Sequence, residues 1–516
     1  MTAVAPAAGS PTAVPAGAAP ATAAAPTTTT VDTVIVGAGF AGIGAGIRLS
    51  RIGETSFVVL ERASAVGGTW RDNVYPGVAC DIPSHLYSFS FAPKADWSTF
   101  FAAGSEIQDY LLDCAREIES HLRLDTDVLE MRWLAADERW SVRTSTGSFR
   151  CRTLVVAAGR LSEPRMPEIA GLDSFPGPVF HSSRWRSDVD LAGKRVGVVG
   201  TGASAVQLVP EVAAVAGSVV LFQRTAPYVV PRDDAEYSEP EILNFRKQPA
   251  AREALRSELF WAMESGFAAR VGTPGYIDEL RALARGHLEG QVADPALRAA
   301  LTPGYEIGCN RVLLSNDFYP ALARDTVTLE PSALAAVDGT TATAASGTGY
   351  ELDVLVFATG FVSTRPPFAL RVFGRDGVSL AHTWRDGMVA YNSTTVHGFP
   401  NLFVIDGPNA SLGHNSAIVM IEAQIDYLLA ALRDGGAVLE VSLDAQNAYV
   451  AELDARAAST VWLGGGCESW YVDGRSGRLT LLWPDFAYAF RDRLAEFDRS
   501  AYLPATEPAT ERATAR

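Results

Sequence analysis

Apolar positions in this chain come in short runs that switch to glycine turns and then to helical spacing. Val31-Asp-Thr-Val-Ile-Val36 reads as a strand, Gly37-Ala-Gly39-Phe-Ala-Gly42 as a turn, and Ile43 to Leu49 as the start of a helix. In such a unit Gly37 permits a tight bend and Gly39 lets the backbone approach a pyrophosphate. Gly42 lets the helix pack closely on the sheet, its N-terminus facing negative charge. A second strand, Phe57-Val-Val-Leu60, ends on Glu61, where a carboxylate can accept hydrogen bonds from a ribose.

The pattern returns at Arg195-Val-Gly-Val-Val-Gly200-Thr-Gly202-Ala-Ser204-Ala205, with an apolar helix from Val206 to Val215. Ala205 stands where the third glycine would be. The next strand, Ser218 to Gln223, ends on Arg224 and Thr225, and 224 − 205 equals the 19-residue offset of 61 − 42. A guanidinium there pairs with a 2′-phosphate that a carboxylate would repel. FAD is therefore expected in the first unit and NADPH in the second; a surface ion pair is the alternative for Arg224. The strand running from Glu351 into Ala358-Thr359-Gly360, matched by Leu154 to Gly159, marks where the chain passes between the two units. The predicted fold class is α/β with two Rossmann-like dinucleotide-binding domains.

Composition narrows the partners. The chain has 516 residues, 48% hydrophobic and 20% charged, enough for two or three domains. A net charge of −16 disfavours nucleic acid and anionic lipid. The five cysteines show no metal or disulfide spacing, so free thiols in a reducing cytoplasm and no metal are expected. No apolar run is long enough to span a membrane. Residues 1–30, rich in Ala, Pro and Thr, read as a disordered tail and 501–516 as a flexible one.

Gly67-Gly68-Thr69-Trp70-Arg-Asp-Asn-Val-Tyr75-Pro76-Gly77-Val-Ala-Cys-Asp81 resembles a fingerprint of the type I Baeyer–Villiger monooxygenases. A second fingerprint, with Phe175, Gly177, His181 and Trp185 in FxGxxxHxxxW spacing, resembles the segment that links the domains in that family. Trp185 favours this branch over the sister flavin-containing monooxygenases, whereas Arg186 replaces the family's Pro or Asp. The likeness extends from about residue 31 to 500 and includes Gly407 to Ser416, Glu468-Ser-Trp470-Tyr and Leu482-Trp-Pro484. It implies an FAD-binding domain at 31–172 and 353–500, an NADPH-binding domain at 173–235 and 304–352, and a helical insertion at 236–303.

The resemblance also implies roles. Gly68, Thr69, Trp70, Asp81 and Tyr87 would line the flavin site, and Cys309-Asn310-Arg311 matches a Cys/Thr-Lys-Arg triplet whose Arg lies beside the flavin. The Lys is replaced by Asn310, which removes one charge from the 2′-phosphate site and leaves Arg224 as its main clamp. Arg311 would stabilise the peroxide that O2 forms on reduced flavin, with Asp81 orienting it; a structural ion pair is the bland alternative. Trp470 would line the substrate or nicotinamide pocket, with ordinary packing as its alternative. His181 is given no acid or base work.

The expected reaction is NADPH- and O2-dependent insertion of one oxygen into a small organic substrate, namely Baeyer–Villiger oxidation of a ketone. N- or S-oxygenation or hydroxylation is the alternative. A dithiol oxidoreductase is rejected because no two cysteines are close in sequence. A non-enzymatic flavin-binding protein is the remaining rival.

Overall fold

The computed structural model describes residues 28–434 and 438–504. Two five-stranded sheets, each parallel throughout, carry the architecture. The first runs in the order Leu402–Val404, Thr153–Val156, Thr33–Val36, Phe57–Leu60, Leu122–Arg123. Val-, Ile- and Leu-rich runs suit strands covered on both faces. The helix Phe40–Arg51 packs on this sheet together with Ala417–Arg433, whose buried face includes Ile418, Ile421, Ile425 and Leu428.

The second sheet runs Val327–Glu330, Ser218–Phe222, Arg195–Val199, Val354–Phe357, Val179–His181. Its central strand feeds the helix Ala203–Val215. The return to the first domain, expected at residue 353, therefore comes later, because Val354–Phe357 hydrogen-bonds between two strands of the second sheet. The two crossings lie side by side: Pro164 bridges Phe361 antiparallel, and the Arg165 amide donates to the Gly360 carbonyl at 2.8 Å.

Both tail expectations need correction where the structure describes them. Thr28–Thr30 forms a strand parallel to Ser148–Cys151. Ala501 and Tyr502 are buried, and the Tyr502 hydroxyl lies 2.7 Å from that of Tyr427. Residues 1–27 and 505–516 lie outside the described residues.

Between the two parts of the second domain run the helices Glu239–Lys247, Pro249–Glu264, Gly266–Arg270, Tyr276–Gln291 and Pro295–Ala300. The first opens on a Ser238–Glu241 capping box and the last on an Asp294 cap. The Pro249–Glu264 helix is fastened to the first domain. Arg256 donates to the carbonyls of His85 and Ser88, both at 2.8 Å, and Glu264 accepts from Asn415 at 2.7 Å and from the Ala487 and Tyr488 amides at 3.2 Å. Tyr276–Gln291 is fastened to the second: Arg281 pairs with Glu306 at 2.6 Å, and Gln291 donates to the Asn316 carbonyl at 3.0 Å. No helix among the described residues is long and apolar enough to cross a membrane.

Candidate active site

The two glycine turns are built alike. Gly37 has φ +104°, and a Cβ there would sit 2.5 Å from the Ala157 carbonyl oxygen. Gly200 has φ +109°, and its Cβ would meet the Ala358 oxygen at 2.6 Å. Both conformations belong to glycine, and any side chain would drive the turn off the neighbouring strand. Gly42 is held by helix packing, its Cβ position falling against the Gly37 carbonyl. The helices that follow begin at Gly39 and Gly202 with no side chain capping their amides. Free N–H groups at an uncapped N-terminus suit a pyrophosphate, so both cradles fit a dinucleotide.

The first cradle opens into a cavity of about 230 Å³ lined by Gly37 to Phe40, Glu61, Gly68, Thr69, Trp70 and Tyr87. Arg160, Asp406 and the start of the Ala417–Arg433 helix complete the lining. Glu61 is buried at the end of its strand and accepts from the Ala38 amide at 2.9 Å, the Ala63 amide at 3.0 Å and Arg71 at 3.0 Å. Gly68 lies against Gly39, so the fingerprint forms the second wall of the cradle. Trp70 Nε1 donates to the Tyr87 hydroxyl at 3.3 Å.

The rest of that fingerprint is a joint between domains. Tyr75 donates to Gln207 Oε1 at 2.9 Å and reaches Ser204, while Gln207 Nε2 donates to the Ala79 carbonyl at 3.0 Å. Gly77, with φ +81°, approaches the Gln207 carbonyl so closely that a Cβ would lie 2.8 Å from it. The second fingerprint packs behind the crossings. A Cβ on Gly177 would clash with the Asp353 carbonyl; Trp185 meets Phe180 edge-on at 5.2 Å, and His181 meets Phe361 at 5.5 Å. Phe175 joins the core beside Val199 and Phe357. Burial lowers His181 to about 4, so it is neutral in ordinary buffers. Arg186 pairs in solvent with Asp188 at 2.6 Å.

Asp81 ends the first fingerprint and meets Arg311, whose Nε donates to its Oδ2 at 2.6 Å. Burial opposes the charge on Arg311, but Asp81 and the neighbouring Tyr471 outweigh it and hold its pKa above the ordinary value. Two further guanidiniums feel this group. Arg160, paired with Asp406, is lowered to about 10 by burial, and so is Arg270, which donates to the carbonyls of Gly266 and Gly413 at 3.1 Å.

The second cradle is more open. Arg224 is 71% exposed and lies 3.8 Å from Glu468. Thr201 donates to the Thr225 carbonyl at 2.7 Å, Ala205 is buried under the helix, and Thr359 donates to the Arg165 carbonyl at 2.6 Å. Asn310 hydrogen-bonds the Tyr305 side chain.

One expectation fails outright. Cys309 and Cys467, 158 positions apart, are joined by a disulfide with Cα atoms 6.1 Å apart. Wide sequence separation hid the pair, so the ground given for rejecting a dithiol enzyme does not hold. The remaining cysteines, Cys80, Cys114 and Cys151, are raised by burial, which leaves no activated thiolate among them. No cluster able to hold a metal occurs among the described residues.

Trp470 is 41% exposed and its ring meets that of the buried Tyr471 at 4.4 Å, tilted by 38°. Sequence reading also missed Arg160, Asp406 and Arg270. Arg160 directly follows Gly159 and Asp406 directly precedes Gly407-Pro408, so motif adjacency could have found those two. Nothing in the sequence singles out Arg270.

Two uncapped glycine cradles on parallel sheets, joined to a half-buried Asp81–Arg311 pair at the end of the first fingerprint, define an oxidoreductase of the two-dinucleotide type. A family model described as pyridine nucleotide-disulphide oxidoreductase matches residues 34–256. A Baeyer–Villiger monooxygenase of Streptomyces coelicolor is 45% identical over 482 residues, covering 92% of each chain. The solved structure titled oxidized steroid monooxygenase bound to NADP superposes with a TM-score of 0.80 at 31% identity, covering 90% of this chain and 97% of that one. Another, OTEMO in complex with FAD and NADP, gives 0.79 at 27%, covering 91% and 97%. The chain belongs to the Baeyer–Villiger monooxygenase family, and it is a flavoprotein monooxygenase.

Proposed function

We propose that the first cradle holds FAD, the second NADPH, and that the protein converts a small ketone to an ester or lactone. The balance is ketone + O2 + NADPH + H⁺ giving ester, NADP⁺ and water. Bound FAD supplies the transfer of two reducing equivalents to O2. Gly37, Gly39 and Gly42 give the flavin dinucleotide its cradle and Glu61 faces its ribose. Gly200, Gly202, Ser204 and Ala205 do the same for NADPH, with Arg224 and Thr225 at the 2′-phosphate. Ala358, Thr359 and Gly360 carry the chain between them.

The Asp81–Arg311 pair is the observation that supports the reading most directly. It joins the end of the flavin-side fingerprint to the second domain, half-buried, where a carboxylate fixes the guanidinium in place. Arg311 holds positive charge where negative charge develops on oxygen, and Asp81 fixes its orientation. Trp70 and Tyr87 close the flavin side against water. The net charge of −16 argues against a nucleic-acid partner. The proposed compartment is the cytoplasm, where the Cys309–Cys467 bond would face a reducing medium.

The test is product analysis of purified, FAD-loaded enzyme with NADPH, air and a matched ketone, thioether and amine. Ester formation from the ketone is expected. Sulfoxide or N-oxide with no ester would reassign the chemistry to heteroatom oxygenation.

A further inference from the structure

The charges around the Asp81–Arg311 pair do not cancel. Arg311 has Asp81 and Arg160 has Asp406, but Arg270 has no carboxylate partner among the described residues. It uses two of its five donors on the Gly266 and Gly413 carbonyls and keeps the others. Those two bonds fix the guanidinium without neutralising it. Arg270 is half-buried, and a cation partly withdrawn from water without an anion is unfavourable unless something else supplies one. The unfavourable setting shows in its pKa, which burial brings down to about 10 with a further push from Arg311.

A second group lies within electrostatic reach of Arg270 and of the same pair. Tyr471 is 2% exposed, yet its hydroxyl has no hydrogen-bond partner among the described residues and is not sealed off from solvent. The charges acting on it are those of Arg311, Arg270, Asp81 and Arg160. A buried phenol normally finds an acceptor, so this one is left with a donor to give. The backbone turn at Gly308 borders Arg270, and Cys309 in that turn is the residue tied by disulfide to Cys467, four positions before Tyr471. Covalent linkage thus holds the turn beside Arg270 to the segment carrying Tyr471. All this lies in a molecule of net charge −16, which makes a locally positive cluster a departure from its surroundings.

We propose that Arg270 and Tyr471 form an anion-recognition subsite beside the Asp81–Arg311 pair, and that the substrate is a ketone bearing a carboxylate, an oxo acid. The inference rests on the ketone-oxidising function proposed above and adds the substrate class. The guanidinium and the phenol both donate to the carboxylate, which leaves the carbonyl to lie toward Arg311. Position 270 belongs to the insertion and 471 to the first domain's C-terminal part, so a bound oxo acid would bridge the two.

The experiment uses the full-length enzyme with FAD bound and a probe pair, 5-oxohexanoate and its methyl ester, in which one methyl group removes the charge at the end remote from the ketone. Binding to the oxidised enzyme is read from the flavin difference spectrum, and turnover separately from products. The acid is expected to bind roughly 10–100-fold tighter than the ester, the range of one or two charge-assisted hydrogen bonds. Arg270→Gln should bring the acid-to-ester ratio of kcat/KM toward one, mainly through KM, whereas Arg270→Lys should retain part of it. Tyr471→Phe removes a single oxygen and should lower the same ratio about threefold to tenfold.

Equal binding of acid and ester to the wild-type enzyme overturns the subsite, as does an Arg270→Gln variant that folds, weakens NADPH binding and leaves the ratio intact. That second result would assign Arg270 to a cofactor phosphate. Preferential binding of the acid with no ester product from either probe would support the subsite while refuting the proposed reaction.

Discussion

Asp81 and Arg311, 230 positions apart in sequence, meet at 2.6 Å. The contact assembles a charge pair from a fingerprint in one domain and a triplet in the other. Removing the cation should separate flavin reduction from oxygen transfer. Arg311→Ala is expected to keep NADPH-driven bleaching of the flavin but to lose product by about 10²–10³-fold, with reducing equivalents released as hydrogen peroxide. Stopped-flow reduction together with peroxide and product assays reads this directly; product at the wild-type rate would remove Arg311 from its role.

Coenzyme choice should depend on a single exposed arginine. Arg224→Ala is expected to raise the KM for NADPH roughly 10–100-fold and that for NADH much less, since only NADPH carries the 2′-phosphate. Asn310→Lys should act in the opposite direction by restoring the missing charge. Steady-state kinetics with both coenzymes decide it.

The bond between Cys309 and Cys467 closes a long loop across two domains. Breaking it should destabilise the fold by about 2–4 kcal/mol. Thermal unfolding with and without dithiothreitol measures the loss, and Cys309→Ser should remove the effect of the reductant. An unchanged transition on reduction would show that the linkage contributes nothing.

Acid should weaken the protein through its buried histidines. Burial lowers His85 and His181 to about 4, and His414 is lowered in the same sense. Their folded-state values lie below the unfolded value of about 6.5, so the unfolded chain binds protons first. The contribution of His85 and His181 is therefore complete above pH ~6.5 and declines as pH falls toward about 4, by up to about 1.4 kcal/mol per pH unit for each of the two. Urea titrations between pH ~5 and ~6.5 should show this slope, and His181→Gln should reduce it.

Gly77 has both a left-handed backbone and a close neighbour in the other domain. Gly77→Ala is expected to destabilise by about 1–3 kcal/mol and to slow flavin reduction, because the Gln207 carbonyl must move to admit the methyl group. Melting temperature and reduction rate together test it.

Much of this was legible in the sequence because each cradle is local. A strand, a glycine turn and a helix lie within some twenty residues, and Gly37 and Gly200 announce a backbone that only glycine adopts. The first fingerprint pointed to Asp81 and the Cys309-Asn310-Arg311 triplet to Arg311. What escaped depends on long-range meetings. Cys309 meets Cys467 across 158 positions, and Arg270 is held by a bond from its own side chain to the distant Gly413 carbonyl. The strand Val354–Phe357 shows the same limit, since no local pattern says which of two parallel sheets a Val-rich run will join.

The insertion is divided in its allegiance: Arg256 and Glu264 fasten one half to the flavin side, while Arg281 and Gln291 fasten the other to the nicotinamide side. Between the halves lies Gly272-Thr-Pro-Gly275, with left-handed glycines at both ends and open space around each. A swing of one domain against the other would bend the insertion at this tetrapeptide. Chimeras between relatives should accordingly be spliced there, so that each half travels with the domain whose groups it grips.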